Sequence, residues 1–399
     1  MKRRVSSIQS SFNQTIEPPD VNSQPAINSI WACIGAVVVA ILAGTALPGC
    51  SPPEPITLGF VGGISGRGAD LGIAARDAVQ LAVELRNQAG GIGGRQVSLV
   101  MKDDEQNTEV AQRVTRELLQ QGAVAIVGPI TSTMAKAIVP LVDEAKVMVI
   151  SSSATTDELT GKDDYLYRVN MSTAEAATRI AQYHLKERPL GPIVAAYDLS
   201  NRSYTERWLN AFRTTYEEGG SEVRKTIGFE SSSETAFVQV AQDLLATPAD
   251  GVLIVANSMD TALLCQQIRK LGSHLPIIVS GWAGTERLLE LGGKSVEGVM
   301  VAQNFDREST APAYQAFRQA YRERFHREPG FSGTMAFDAA NILMEVLTRQ
   351  PDPKRVKETL RAAPRFEGVQ EPIVFDQFGD VIRQIHMTVV RDGQFVVIR

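Results

Sequence analysis

An α/β fold of two doubly wound units is what the sequence predicts, and three observations carry the prediction. Short apolar runs rich in β-branched residues, each bounded by Gly or Ser, read as buried parallel strands. Helical patterns separate them, which makes βαβ units with helices on both faces of a sheet. The alternation then restarts near residue 174, so a second unit of similar size follows the first.

In the first unit, residues 56–62, 96–102, 124–128 and 147–151 read as strands, with helices at 74–89, 110–121 and 132–145 between them. In the second, strands are expected at 193–197, 223–229, 251–256 and 276–280, and helices at 174–187, 204–219, 236–247 and 261–271. Helices at 312–325 and 334–348 follow, then strands near 374–376 and within 386–398. No repeat, low-complexity tract or Pro/Gly-rich linker separates the units, so ordered hinge strands are expected to join them.

The 399 residues carry 40 Lys and Arg against 45 Asp and Glu, a net charge of −5. Such a chain lacks the basic face that neutralises phosphates, which argues against a nucleic-acid partner. Three cysteines exclude a disulfide framework and a thiolate-rich zinc site. The four histidines show no HExxH spacing. Cys265 lies in an amphipathic helical pattern and reads as a small core residue.

The N-terminus reads as an address. Lys2, Arg3 and Arg4 precede an apolar run over 30–47, and Leu47-Pro48-Gly49-Cys50 closes it. That ending resembles a bacterial lipobox, which implies cleavage before Cys50 and lipidation of its thiol. Residues 1–49 are then a signal peptide and 50–55 a stiff lipidated tether. An uncleaved membrane anchor or an unlipidated secreted protein are the other readings. All three put the folded part outside the cytoplasm.

Motifs for catalysis are missing. The turn Gly62-Gly63-Ile64-Ser65-Gly66-Arg67-Gly68 follows the first strand but matches neither GxxxxGK[ST] nor GxGxxG in register, and reads as a flexible wall of a cleft. Asp103-Asp104-Glu105 has no further ligand at metal spacing and reads as a loop capping the next helix. No GxSxG elbow occurs. What remains are two hydroxyl-rich turns at the carboxyl ends of strands, where open α/β sheets bind ligands. One is Gly128-Pro129-Ile130-Thr131-Ser132-Thr133; the other is Ser151-Ser152-Ser153-Ala154-Thr155-Thr156. Helix-start N–H groups and neutral hydroxyls together suit a carboxylate. Either turn taken alone also reads as plain N-capping.

From residue 56 onward the sequence resembles the extracytoplasmic solute-binding proteins of the branched-chain amino acid (Leu/Ile/Val-binding) class of ABC importers. The motifs that carry the resemblance are Asn87-Gln88-Ala89-Gly90-Gly91-Ile92-Gly93-Gly94-Arg95, then Ile126-Val127-Gly128-Pro129, then residues 151–160. Val296-Glu297-Gly298-Val299, Ala336-Phe337-Asp338-Ala339-Ala340 and Phe375-Asp376-Gln377-Phe378-Gly379-Asp380 follow in the family's order. The resemblance implies a type I periplasmic binding fold: two Rossmann-like lobes joined by three hinge crossings. Residues 56–170 and 304–366 would form one lobe, and 171–303 and 367–399 the other. It implies a ligand held in the cleft by Thr131, Ser132, Ser153, Ala154 and Thr155 from the first lobe. Tyr204, Asn257, Trp282 and Phe331 are the further candidates. The family's acid for a ligand ammonium is replaced by Gly281-Trp282-Ala283-Gly284, and the aromatic of the first glycine turn by Leu71. Asp260 is a candidate substitute for that acid, and Trp282 a surface for a flat or apolar ligand.

The expected function is therefore a monomeric, membrane-tethered binding protein in the periplasm or at the cell surface. It would hand a small carboxylate-bearing solute (amino acid, amide or related organic acid) to an ABC permease, with no catalysis, cofactor or metal. A ligand-sensing envelope lipoprotein on the same fold, and an exported hydrolase with a base near Ser132 or Ser153, are the rivals.

Overall fold

A computed structural model describes residues 53–398. The apolar run over 30–47 and Cys50 lie outside the described residues. Of the tether, Pro53, Glu54 and Pro55 are described and exposed. No helix among the described residues is long and apolar enough to cross a membrane.

The first sheet holds β1 (Ile56–Gly62), β2 (Val97–Asp103), β3 (Ala125–Val127), β4 (Met148–Ser151) and β5 (Leu166–Arg168), all parallel, in the order β2-β1-β3-β4-β5. The second repeats the winding with β6 (Ile193–Asp198), β7 (Val223–Phe229), β8 (Gly251–Val255), β9 (Ile277–Val279) and β10 (Met300–Gln303) in the order β7-β6-β8-β9-β10. An antiparallel hairpin, β13 (His386–Arg391) and β14 (Gln394–Val397), extends it beyond β10. The pair β11 (Arg365–Glu367) and β12 (Pro372–Val374) stands apart. Each main sheet reverses its winding once, between β1 and β3 and between β6 and β8. Ligands bind beyond the strand ends at such points.

Three differences from the sequence expectation have physical reasons. Strand β5, Leu166–Arg168, lacks the β-branched apolar run that marks the equally short β3 and β9. The expected terminal strand folds back on itself because Asp392 and Gly393 both take positive φ, which makes a tight turn. The first helix begins at Ala69, before its apolar pattern becomes regular.

Helices cover both faces of each sheet, and the strands alternate between the two cores they build. In β1, Leu58 and Phe60 face one core and Val61 the other; in β8, Val252 and Ile254 oppose Leu253 and Val255. Helix α1 (Ala69–Gln88) lies on the first sheet with α10 (Gly330–Arg349), through Ala75, Ala78 and Ala82 and the matching Ala336, Ala339 and Ala340. The glycine-rich turn after α1 is a tight link to β2. A Cβ on Gly91 would sit 2.0 Å from the Arg95 carbonyl oxygen. The other helices of the first lobe are α2 (Thr108–Gln120), α3 (Ser132–Ala145), α9 (Pro312–Phe325) and α11 (Val356–Ala362). The second has α4 (Thr173–Lys186), α5 (Arg202–Glu218), α6 (Phe237–Leu245), α7 (Ser258–Lys270) and α8 (Glu286–Gly292).

The chain passes between the sheets three times, after β5, after β10 and between β12 and β13. Buried arginines pin the first and third of these crossings. Arg168 pairs with Asp380 and donates to the Thr156 carbonyl at 2.7 Å; Arg383 donates to Glu371 at 2.7 Å and to the Val169 carbonyl at 3.0 Å. Residues 367–381, which the resemblance puts with the second lobe, pack on the first. Phe375 lies 5.1 Å from the Tyr167 ring, and the Arg168 N–H donates to the Gly379 carbonyl at 3.0 Å.

Asp103-Asp104-Glu105 does not cap α2, contrary to expectation. Asn107 does, accepting from the N–H groups of Glu109 and Val110. Asp103 instead ties down the β1–α1 turn, accepting from the Ile64 N–H at 3.1 Å. Asp104 is fully buried with one carboxyl oxygen unpartnered, and burial pushes its pKa up to about 7. Cys265 is buried as expected, its thiol pushed up to about 12.

Candidate functional site

A cavity lies between the two sheets, lined by residues of both lobes. Its first-lobe wall is the turn that opens α3. Gly128 takes φ +120°, and a Cβ there would meet the Val61 carbonyl at 2.0 Å, so the turn folds tightly under the sheet edge. Ser132, at the helix start, accepts from the N–H groups of Thr155 and Thr156 at 3.1 and 3.2 Å. Its hydroxyl proton is left to donate into the cavity. Ser153 donates to the Ile130 carbonyl at 2.6 Å, stitching the two hydroxyl turns together. Thr155 and Thr173 share a hydrogen bond at 2.9 Å.

Thr173 opens α4, with Ser172 as its cap, and both line the cavity. Asn201, at the start of α5, lines it too. The starts of α3, α4 and α5 line the cavity, but the first N–H groups of α4 are taken. Thr173 donates to the Thr155 carbonyl at 2.8 Å, Ala174 to the Asp157 carboxylate at 3.0 Å and Glu175 to Ser172 at 3.4 Å. This leaves the starts of α3 and α5 to lend partial positive charge.

The second-lobe wall is aromatic. Tyr204, in the first turn of α5, meets Trp282 edge to face, with ring centroids 5.8 Å apart at 84°. Burial pushes the Tyr204 hydroxyl up to about 12. The Gly281–Ala283 turn that presents Trp282 is braced from behind. The Gln303 amide donates to the carbonyls of Gly281 and Gly284 at 3.2 and 3.0 Å, and Arg307 donates to the Gly284 carbonyl at 2.6 Å. Leu71, Ile130 and Phe331 give apolar walls, and Asn304 lines the cavity with its amide nitrogen buried and unpartnered.

The lobes touch beyond the cavity. Arg67 of the β1–α1 turn pairs with Asp260 in the first turn of α7, and its Nε donates at 2.8 Å. Asp70 accepts from Ser258 at 2.7 Å and Thr285 at 2.6 Å. On the other flank, Thr133 donates its N–H and hydroxyl to the Asn201 side-chain oxygen Oδ1 at 3.1 and 3.0 Å. The cleft is closed in this structure.

A family model for periplasmic binding proteins matches residues 55–394. The chain belongs to the periplasmic binding protein family. It is 22% identical over 332 residues to a leucine-, isoleucine-, valine-, threonine- and alanine-binding protein of Pseudomonas aeruginosa, covering 82% of this chain and 87% of that one. Among solved structures it resembles a branched-chain amino acid transporter substrate-binding protein of Streptococcus pneumoniae in complex with isoleucine. The TM-score is 0.80 at 26% identity, covering 86% of this chain and 99% of that one. It also shares its fold with an ABC transporter solute-binding protein of R. palustris in complex with benzoate, with a TM-score of 0.78 at 19% identity and coverage of 86% and 95%.

In this periplasmic binding protein the cavity gathers Thr131, Ser132, Ser153, Thr155, Tyr204, Trp282 and Phe331. Ala154 and Asn257 lie elsewhere. Ala154 is turned into the core, and its N–H donates to Ser151 at 3.0 Å. Asn257 caps α7 by accepting from the Asp260 N–H at 2.9 Å. Asp260 is no substitute for the family's missing acid: it is fully buried outside the lining and occupied by Arg67, Ser231 and Asn257. Sequence reasoning missed Asn304 and Gln303. Both sit at the carboxyl end of β10, whose apolar run over 299–302 is readable as a strand and would have pointed to them.

Proposed function

We propose that this periplasmic binding protein is the exported, lipid-anchored solute-binding component of an ABC importer. It takes a small carboxylate-bearing solute (amino acid, amide or related organic acid) into the closed cleft and delivers it to a membrane permease. The observation that carries the reading is the cradle of Ser132, Thr155 and the N-termini of α3 and α5, which suits an anion held reversibly. Amino acids and benzoate, named for relatives, share that carboxylate. The closing contacts on both flanks fit a hinge that traps ligand. Lipidation at Cys50 would tether the protein beside its permease.

The test is a thermal-shift screen of the full chain in mild detergent against amino acids, amides and organic acids. A ligand at a hundred times its Kd adds about 2.7 kcal/mol, a shift of several degrees. No shift across the panel overturns the reading. Cys50→Ser should abolish membrane retention after export, and a variant still retained removes the lipid anchor.

A further inference from the structure

We propose that the solute taken by this cleft is a carboxylate that carries no ammonium group, with an aromatic or branched aliphatic body. The inference rests on the solute-binding reading above and narrows it to one charge type.

The cavity lining contains no Asp, Glu, Lys, Arg or His. An ammonium drawn in would lose its water and meet no carboxylate, and a buried charge without a partner is strongly disfavoured. The carboxylate that might have served, Asp260, is held by Arg67 from the opposite lobe. The local field points the same way. The starts of α3 and α5, helices of 14 and 17 residues, line the cavity and favour an anion over a cation.

Two donors are left for the carboxylate. Ser132 has a free hydroxyl proton, and the Asn304 amide nitrogen is buried, unpartnered and in the lining, with Asn304 only 7% exposed. A buried N–H donor without a partner marks the place of a ligand acceptor. The rest of the lining includes Tyr204 and Trp282 edge to face, with Leu71, Ile130 and Phe331. These side chains offer contact area and no charge, so they suit an apolar body.

Matched pairs that differ only in the α-ammonium give the test: leucine against 4-methylpentanoate, and phenylalanine against 3-phenylpropanoate. Titration calorimetry of the full chain in mild detergent should give the acid lacking nitrogen at least 100-fold tighter binding in one pair. Equal or tighter binding of the amino acid overturns the inference and leaves the solute-binding reading intact. Silence of both pairs, and of benzoate, overturns the inference; the reading itself falls only if the wider screen is also silent. Asn304→Asp supplies a second arm. It replaces a donor by an acid of the same shape, and should weaken the bound acid at least tenfold; unchanged affinity removes Asn304 from the site.

Discussion

The contact between Arg67 and Asp260 joins residues 193 positions apart, and breaking it should loosen closure without unfolding either lobe. In Arg67→Ala the Asp260 carboxylate keeps Asn257 at 2.8 Å, Ser231 and its place in the first turn of α7. It is therefore not stranded, and the loss is confined to the guanidinium. Hydrogen bonds between charged groups contribute about 1.5–3 kcal/mol. Arg67 is about a quarter exposed, so water replaces part of that when the lobes part, leaving about 1–2 kcal/mol. At about 1.4 kcal/mol per decade, the ratio of closed to open protein falls about 5–30-fold, and apparent affinity falls with it. Calorimetry with the tightest ligand from the screen would read this as a rise in Kd, while the melting temperature of the ligand-free protein stays within about 2 °C. A Kd within twofold of the parent would refute the reasoning, because closure would then not depend on this pair.

Three further outcomes are expected. Ser132→Ala should abolish binding and also lower the melting temperature. It strands the N–H groups of Thr155 and Thr156, at about 1–3 kcal/mol for a buried unpaired donor; an unchanged melting temperature would show that water replaces the hydroxyl. Asp104→Asn should stabilise the protein increasingly from pH 4 to pH 8. The folded carboxyl titrates near 7 and the unfolded near 3.8, so in that window the folded state holds a proton the unfolded state has released, and stability falls as pH rises. A melting-temperature difference that does not vary with pH would contradict this. Trp282 fluorescence should respond to ligand and persist in Trp208→Phe, since Trp208 is stacked on Phe212 in the core of the second lobe. A silent Trp208→Phe variant at saturating ligand would take Trp282 out of the cleft.

What the sequence disclosed, and what it hid, follows from the range of the interactions. The strands and helices are written locally, in runs such as Ile56–Gly62 and Ser132–Ala145, which the structure reproduces. The hydroxyl turns were legible for the same reason. Each is a short stretch at a strand end, and Thr131, Ser132, Ser153 and Thr155 come together because parallel winding sets β3 beside β4. Asn257 caps α7 and lies outside the cavity lining, since one side chain can cap a helix or face a cleft and only tertiary packing decides which. The pair of Arg67 with Asp260 left no local trace, since neither residue's neighbourhood announces a partner in the other lobe. Asn304 was hidden by an unread strand, not by any ambiguity of its own.

The layout of the chain also bears on the order in which the molecule can be assembled. Helix α10 lies on α1, with the Ser332 hydroxyl donating to the Leu71 carbonyl across 261 residues at 2.9 Å, and the second sheet's five parallel strands are threaded between the two helices in sequence. A chain that has emerged only as far as residue 303 has every strand of both parallel sheets but lacks α10, which packs over Leu71, Ala75 and Val79. The second unit then lacks only its edge hairpin and can collapse early, while the one begun first must wait for its closing helix. Contacts of such long sequence separation slow folding. The waiting period, with an apolar face bare to solvent, is when this protein is most exposed to aggregation and to a chaperone's grip.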